Sequence, residues 1–180
     1  ASMELGVDAQ QAISTLEHFP GVIGRMEVLS ESPVRVIVDF AHTPNALGKV
    51  LSEVKQTTKK RLIHVFGSAG LRDASKRPFM GKASSDYSDL SIITEEDYRT
   101  EKLEDIMDAV QGGMEKDHAV IRIGDRREAI VHALRIARPG DTVIITGKGH
   151  EGSLCRGTVE FPWSDREETK KLLPRYVFRK

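Results

Sequence analysis

The sequence predicts an α/β fold: a doubly wound, mostly parallel, Rossmann-like sheet of about six strands with helices on both faces. Short unbroken apolar runs, typical of strands buried on both faces, alternate with segments whose apolar residues recur at helical spacing. Elements that alternate in this way form parallel sheets with right-handed crossovers. Charged or polar side chains follow four of the predicted strands, so we expect them to meet at one edge of the sheet, where open sheets bind ligands.

The chain begins with a weak helical pattern and a bend. Residues 4–19 carry a few apolar residues among polar ones and predict a short helix at best, which Pro20-Gly21 ends. Two glycines then flank a bend, and Arg25 follows it before an extended segment that starts at Glu27. An arginine at such a bend can project into a cleft, although a surface arginine in a loop gives the same pattern.

The first strand-helix unit has the clearest signals. The apolar run 34–38 predicts a buried strand whose exit carries Asp39 and His42. Thr43 is a suitable N-cap and Pro44 loses no hydrogen bond at the first helical position, so a helix to about Lys55 is predicted. A plain strand-turn-helix joint with a solvated histidine would have the same local sequence.

The second strand, 62–66, runs directly into a loop of small residues, 67–73. Such a loop lets backbone N–H groups approach an anion, and Arg72, Lys76 and Arg77 add donors for phosphate or carboxylate. Pro78 then begins a helix to about residue 87. The loop is not an NTPase phosphate loop, because Gly-x4-Gly-Lys-Ser/Thr is absent from the whole chain.

The third and fourth strands are predicted at 90–94 and 119–123. Acids beside an arginine follow the third strand in Glu95–Glu101 and could hold a zwitterion, although a solvated loop would also explain them. A helix is predicted at 102–114, and the apolar positions of 126–137 keep the spacing of an amphipathic helix.

The fifth strand, 142–146, leads into Gly147-Lys-Gly-His-Glu151. Two glycines around a lysine, followed by a histidine and an acid, carry more chemistry than a flexible turn requires. Residues 157–161 predict a sixth strand at the sheet edge, and residues 163–173 predict a last helix, after which the tail carries little signal.

Composition narrows the function classes. Lys+Arg and Asp+Glu both number 27, so the chain lacks the basic excess that marks a nucleic-acid binder. Nothing resembles a signal peptide or a membrane span, and the single cysteine, Cys155, excludes both an internal disulfide and a cysteine-based zinc site. These features predict a cytoplasmic protein with no nucleic-acid or membrane partner.

Six short segments match the motifs of one enzyme family in order. They are Gly24-Arg-Met-Glu27, Val38-Asp-Phe-Ala-His-Thr-Pro44, Phe66-Gly-Ser-Ala-Gly-Leu-Arg-Asp73 with Lys76-Arg-Pro78, Glu96-Asp-Tyr-Arg99, Gly147-Lys-Gly-His-Glu151 and Asp165-Arg-Glu. Over residues 21–173 the chain thereby resembles the C-terminal domain of the Mur ligases, most closely that of the tripeptide-synthetase branch.

The resemblance implies one domain of a three-domain, ATP-dependent amide-bond ligase. Residues 21–180 would be the amino-acid-binding domain, and residues 1–20 an extension from the interdomain junction. The whole enzyme would add a diamino acid, meso-diaminopimelate rather than L-lysine, to UDP-MurNAc-L-Ala-D-Glu by attack of its amine on an acyl phosphate. ATP and Mg²⁺ would bind mainly to the central domain, so this chain alone is expected to be inactive.

The resemblance also implies roles for ten residues, none of them a catalytic residue or a metal ligand. Arg72 and Arg99 would bind carboxylates of the amino acid, while the backbone of Gly147 and the side chain of Glu151 would meet its ammonium. The other expected residues are Glu96, Asp97 and Tyr98 at the remaining amino-acid positions and Arg25, Asp39 and His42 facing the nucleotide.

Departures from the motifs keep alternatives open. Glu96-Asp97-Tyr98 stands where the family has Asp-Asn-Pro, which makes the loop more acidic, while the retained Arg99 favours a substrate with a second carboxylate. The rival interpretations are the corresponding domain of a cyanophycin synthetase or folylpolyglutamate synthase, and a non-catalytic module of the same fold. A dinucleotide-binding domain fits less well, because no Gly-x-Gly-x-x-Gly follows the first strand.

Overall fold

The computed structural model describes residues 6–19 and 21–177 and contains eight strands and six helices within those ranges. The strands are β1 (Glu27–Ser30), β2 (Arg35–Asp39), β3 (Leu62–Phe66), β4 (Leu90–Ile93), β5 (Val120–Arg122), β6 (Thr142–Thr146), β7 (Ser153–Arg156) and β8 (Val159–Pro162). The helices are α1 (Ala9–Glu17), α2 (Pro44–Thr57), α3 (Lys76–Tyr87), α4 (Leu103–Gln111), α5 (Arg126–Ile136) and α6 (Asp165–Tyr176).

Six strands form the central sheet in the order β1-β2-β6-β3-β4-β5. All neighbouring pairs are parallel except β1 with β2, which are antiparallel. The predicted α/β fold with a mostly parallel sheet is therefore confirmed. Its consequence for function is that the exits of β2, β3, β4 and β6 lie at the same edge.

Helices cover both faces of the sheet and form two apolar cores. On one face α5 and α6 pack over Val36, Val38 and neighbouring strand residues. On the other face α2, α3 and α4 pack over residues such as Ile37 and Phe66. Because successive strand side chains point to opposite faces and both faces are buried, the central strands need uninterrupted apolar runs.

Side-chain caps fix where several helices begin. The Thr43 hydroxyl accepts the Ala46 N–H at the start of α2, where Pro44 takes the first helical position as predicted. Asp125 caps α5 by accepting the Glu128 N–H over 3.0 Å. These caps place each helix start directly after a strand exit.

The end of the chain differs from the prediction in two places. Residues 157–161 do not join the central sheet: β8 pairs only with β7, which the prediction missed, in a separate hairpin that turns at Gly157 (φ +62°). Helix α6 continues past Pro174 to Tyr176, because buried Leu173 and Val177 hold its last turn against the core. Packing there outweighs the hydrogen bond that proline cannot donate.

The first helix stands apart from the cores. No residue of α1 is buried, and its apolar side chains Ile13 and Leu16, like Phe19 just beyond it, are exposed. The predicted division at residues 20 and 21, with residues 1–20 as an extension from the interdomain junction, stays a prediction. None of the helices described is both long enough and apolar enough to cross a bilayer.

We expect the chain to lose stability in mild acid because of His64. This residue is fully buried in β3, and its ring nitrogens contact the hydroxyls of Ser84 (2.7 Å) and Thr146 (2.9 Å). Burial, aided by the charges of Arg126 and His118, lowers the pKa of His64 from 6.5 to about 3. The folded chain therefore keeps His64 neutral while the unfolded chain takes up a proton below pH 6.5, so stability falls as the pH falls.

The expected loss from His64 is about 1.4 kcal/mol for each pH unit between about 6.5 and 3. Urea unfolding of the chain and of His64→Gln at pH 7.5 and 5.5 measures it. The variant is expected to lose about 1.4 kcal/mol less than the parent over this interval. Equal losses in the two proteins would show that His64 does not carry the effect.

Candidate functional site

The exits of the four parallel strands β2, β3, β4 and β6 border a cleft of about 460 Å³. Seven of the ten residues that the sequence predicted as binding residues line it, and Tyr98, Arg25 and Asp39 do not. The complete lining is Phe40, His42, Thr43, Ala69, Arg72, Asp73, Lys76, Glu96, Asp97, Arg99, Gly147 and Glu151.

The loop after β3 packs its backbone directly on the loop after β4. A Cβ atom at Gly70 would lie 2.1 Å from the carbonyl oxygen of Tyr98, so no larger residue fits. The Gly70 N–H donates to the carbonyl of Asp97 over 2.8 Å and joins the two loops. Leu71 then adopts a left-handed backbone (φ +53°), and Arg72 follows at the cleft, exposed and without a side-chain partner among the described residues.

A buried arginine, Arg77, holds the loop after β3 in place. Arg77 Nη2 donates to the carbonyl of Ala69 (3.3 Å) and lies 2.9 Å from the Glu101 carboxylate. Glu101 also accepts the Leu71 N–H, and this bond together with Arg77 lowers the pKa of Glu101. The loop that presents Arg72 is therefore held in place without using Arg72.

Glu96 is the buried acid of the cleft. It is 6% exposed, and its Oε2 has no hydrogen-bond partner among the residues that the structure describes. A Cβ atom at Gly147 would lie 2.7 Å from that oxygen, which places the free oxygen beside Gly147. Burial raises the pKa of Glu96, although nearby positive charges, Arg126 foremost, act against it. An unpaired buried carboxylate oxygen is costly, which points to a cationic ligand.

The side chains of Asp97 and Arg99 already have hydrogen-bond partners within the protein. Asp97 Oδ1 accepts from Lys148 Nζ (2.8 Å) and from the Cys155 N–H (2.9 Å). Arg99 has a left-handed backbone (φ +52°) and its Nη1 donates to the carbonyl of Gly70 over 2.8 Å. Tyr98, which the sequence grouped with these residues, instead lines a separate depression on another side of the loop.

The hairpin β7–β8 supports the loop after β4 from outside the sheet. The Arg99 N–H donates to the carbonyl of Cys155 (3.3 Å), and the Gly157 N–H donates to the carbonyl of Arg99 (2.8 Å). The Arg156 guanidinium forms two hydrogen bonds to the carboxylate of Glu95. These contacts hold Arg99 in its strained backbone conformation, which is typical of functional sites.

The turn after β6 depends on its two glycines. Gly147 (φ +111°) and Gly149 (φ +49°) both have backbones that other residues rarely adopt. A Cβ atom at Gly149 would lie 2.7 Å from both the carbonyl oxygen of Gly24 and the Cβ of Phe40. Within this turn Lys148 is 1% exposed, while Glu151 reaches the cleft wall.

The loop after β2 lies next to the cleft. Both oxygens of Asp39 accept backbone N–H groups, Oδ2 from Met26 (2.8 Å) and Oδ1 from Ala41 (2.7 Å), so Asp39 fixes the bend before β1. The exposed Arg25 on that bend lies 4.3 Å from the centroid of the Phe40 ring. His42 lines the cleft, and its Nδ1 donates to the Phe40 carbonyl over 2.9 Å.

Sequence reasoning missed the buried ion pair that holds two strand exits together. Arg126 Nε and Nη2 donate to the carboxylate of Asp165 over 2.8 and 2.7 Å, and both residues are 0% exposed. Arg126 also donates to the carbonyls of Glu95 (3.0 Å) and Thr146 (2.7 Å). The motif Asp165-Arg-Glu was a signal without an assigned role, and Arg126 resembled any arginine in a first helical turn.

The cleft presents both signs of charge. Lys76, which the sequence marked only as an anion donor, also lines it, and its Nζ donates to the carbonyl of His42 over 2.9 Å. Arginines and carboxylates in one cleft can hold a ligand that carries both carboxylate and ammonium groups. Within residues 6–19 and 21–177, no group of three His, Cys, Asp or Glu side chains could hold a metal ion.

Comparison with known proteins gives a consistent result. The family model for the Mur ligase, glutamate ligase domain, matches residues 24–149, which is more than half of the chain. A UDP-N-acetylmuramyl-tripeptide synthetase from Deinococcus radiodurans is 44% identical over 179 residues, which cover 96% of this chain and 36% of that protein. The chain thus spans about a third of the length of such curated relatives.

Two solved structures have a domain of the same fold as this chain. A structure of UDP-N-acetylmuramoyl-L-alanyl-D-glutamate--2,6-diaminopimelate ligase superposes with a TM-score of 0.81 at 35% identity, covering 96% of this chain and 36% of that one. A bifunctional folylpolyglutamate synthase/dihydrofolate synthase from Yersinia pestis has a TM-score of 0.60 at 21% identity, covering 77% and 31% of the two chains. The second similarity shows a shared fold alone.

Proposed function

Because the chain belongs to the Mur ligase family through its glutamate ligase domain, we propose that it is the amino-acid-binding domain of a longer ATP-dependent ligase. That ligase joins a diamino acid to UDP-MurNAc-L-Ala-D-Glu in the synthesis of peptidoglycan precursors. The 36% coverage of a curated relative supports further domains that bind the UDP-sugar and ATP. The isolated chain, which has no phosphate loop, binds the amino acid and does not turn over ATP.

The proposal rests on two groups of opposite charge in the cleft that have no side-chain partner among the described residues. Arg72 has no side-chain partner within the described ranges, and the Oε2 of Glu96 has none either. Other charged groups of the cleft, such as Asp97, are already bound within the protein. A free guanidinium and a free carboxylate oxygen in one cleft fit the carboxylate and ammonium groups of an amino acid.

The substrate we propose is meso-diaminopimelate in preference to L-lysine. Arg72 and Arg99 bind its carboxylates, and because lysine lacks the distal carboxylate, it would leave one guanidinium without a ligand carboxylate. Glu96 and Glu151 bind its ammonium groups beside the backbone of Gly147. The matched ligase structure bears the diaminopimelate name, which supports this choice.

The domain contributes positioning rather than a reacting group. ATP supplies the phosphoryl group that activates the carboxylate of UDP-MurNAc-L-Ala-D-Glu, and the amine of the bound amino acid displaces phosphate. Rigid placement of an amine against an acyl phosphate can supply a large part of the rate acceleration. The backbone contacts between the loops after β3 and β4, and between the turn after β6 and the loop after β2, provide such rigidity.

The nucleotide side of the proposal involves the residues beside the cleft. Arg25 is exposed on the bend that Asp39 fixes, so it can reach a phosphate or ribose when another domain closes on this edge. His42 lines the same cleft as the residues assigned to the amino acid. Mg²⁺ and most of the ATP contacts are assigned to the longer protein outside this chain.

Removal of Arg99 is expected to change the selectivity of the ligase. In the longer protein, Arg99→Ala should lower kcat/KM for meso-diaminopimelate about 100-fold, because a charge-assisted hydrogen bond is lost, and should change kcat/KM for L-lysine much less. ADP release with UDP-MurNAc-L-Ala-D-Glu and each amino acid measures both values.

Arg122→Ala is the matched control, because Arg122 on β5 forms a surface ion pair with Asp108 of α4. We expect it to change neither value by more than about twofold. A parent enzyme that prefers lysine would refute the choice of diaminopimelate. Absence of ADP release with both amino acids would refute the ligase activity itself and favour a non-catalytic module.

A further inference from the structure

We infer that Lys148 is a positioning residue that sets the amino-acid specificity of the cleft, an inference that rests on the proposed function. Its Nζ lies 2.8 Å from Oδ1 of Asp97 and 2.6 Å from Oε2 of Glu151. Both carboxylates line the cleft, whereas Lys148 does not. Lys148 therefore acts on a ligand through the two acids that it holds.

The backbone of the turn after β6 accounts for a buried lysine at this position. Gly147 and Gly149 adopt left-handed backbones on either side of it, and the Glu151 N–H closes the turn on the Lys148 carbonyl over 2.8 Å. A Cβ atom at Gly149 would lie 2.7 Å from the carbonyl oxygen of Gly24, so the turn packs closely on the bend before β1. The lysine side chain is thereby enclosed, with an exposure of 1%.

A buried ammonium is tolerated only where acids compensate it. Burial acts to lower the pKa of Lys148, but the hydrogen bonds with Asp97 and Glu151 raise it above its ordinary value. Lys148 therefore stays charged and bridges the loop after β4 to the loop after β6. Asp97 is further fixed by the Cys155 N–H over 2.9 Å.

The net charge of Lys148, Asp97 and Glu151 affects which amino acid the cleft prefers. Two carboxylates and one ammonium sum to one negative charge, and loss of Lys148 would leave two negative charges at the cleft wall. L-lysine carries one more net positive charge than meso-diaminopimelate, since it lacks the second carboxylate. A more negative wall attracts lysine more strongly and repels the distal carboxylate of diaminopimelate. Lys148 thus favours diaminopimelate by neutralising one of the two acids.

The test is the ratio of kcat/KM for L-lysine to that for meso-diaminopimelate, measured by ADP release in the longer protein. Lys148→Met is expected to raise this ratio about tenfold, equivalent to about 1.4 kcal/mol. Lys148→Met combined with Asp97→Asn removes one charge of each sign, so the ratio should return to within about threefold of the parent value. Lys82→Met, at an exposed ion pair on α3, is the control and should leave the ratio unchanged.

Each outcome has a separate meaning. If Lys148→Met lowers both kcat/KM values by the same factor, Lys148 is merely structural and the inference is wrong. If that variant fails to fold, the double variant is compared with Asp97→Asn alone: the ratio should be about tenfold higher in the double variant, and equal ratios overturn the inference. A parent protein that releases no ADP with either amino acid refutes the proposed function first, and the specificity role of Lys148 with it.

Discussion

Replacement of Arg126 with methionine is expected to lower the free energy of unfolding by about 3–5 kcal/mol. The reason is that Asp165, which is 0% exposed, would lose its bidentate partner. The carbonyls of Glu95 and Thr146 would also lose the donors that Arg126 provides. Urea unfolding at pH 7.5 measures the change.

The neighbouring Arg127 offers a matched control for Arg126. Arg127 pairs with Glu168 at the surface, with 51% of its side chain exposed, so Arg127→Met should cost less than about 1 kcal/mol. Equal effects of the two variants would disprove the role of the buried pair. Because an apolar pair often replaces a buried ion pair at little cost, Arg126→Met with Asp165→Leu should recover the part of the loss that comes from the unpaired Asp165, but not the part that comes from the carbonyls of Glu95 and Thr146.

Replacement of Glu96 with glutamine is expected to lower kcat/KM for the diamino acid about 100-fold at pH 8 in the longer protein. Glutamine has nearly the same shape, so the loss reports the charge that meets the ammonium. Burial raises the pKa of Glu96 while Arg126, Lys76, Lys148 and His42 oppose the rise, so the acid ionises above its usual range. Binding of an ammonium requires the ionised form, and affinity should therefore increase as the pH rises through that pKa.

A pH profile of kcat/KM that begins within the usual pKa range of a glutamate and extends well above it separates this role from a packing role. The parent should show a rise that Glu96→Gln lacks. Asp73 is a suitable control acid of the cleft: it is exposed and accepts two hydrogen bonds from Ser75, which lower its pKa. Asp73→Asn should lower kcat/KM less than about fivefold. If the Glu96→Gln variant shows the same rise in kcat/KM, the rise comes from another titrating side chain.

The location of the site was predictable because topology dictates it. The apolar runs of β2, β3 and β6 identify buried parallel strands, and parallel strands end at one edge. Any polar residues that follow them must therefore converge, which is why seven of the ten predicted residues line one cleft. The family motifs added the chemistry that topology alone does not provide.

The buried ion pairs around the cleft were not predictable. Arg126 and Asp165 are 39 positions apart, and Lys148 and Asp97 are 51 apart, so no local pattern connects them. Local sequence shows a charged residue but does not show whether it is buried. The hairpin β7–β8 was missed for a related reason, since its strands are short, lie outside the central sheet and carry no long apolar run.

The contact between Gly24 and Gly149 limits which sequences this domain can accept. A Cβ atom at Gly24 would lie 2.3 Å from the carbonyl carbon of Gly149, so neither position can vary alone without separating the two segments. One segment carries Arg25 and the other carries Glu151, and a shift in either would be transmitted to both. Variation at this seam therefore requires coordinated changes at two positions that lie 125 residues apart in the sequence.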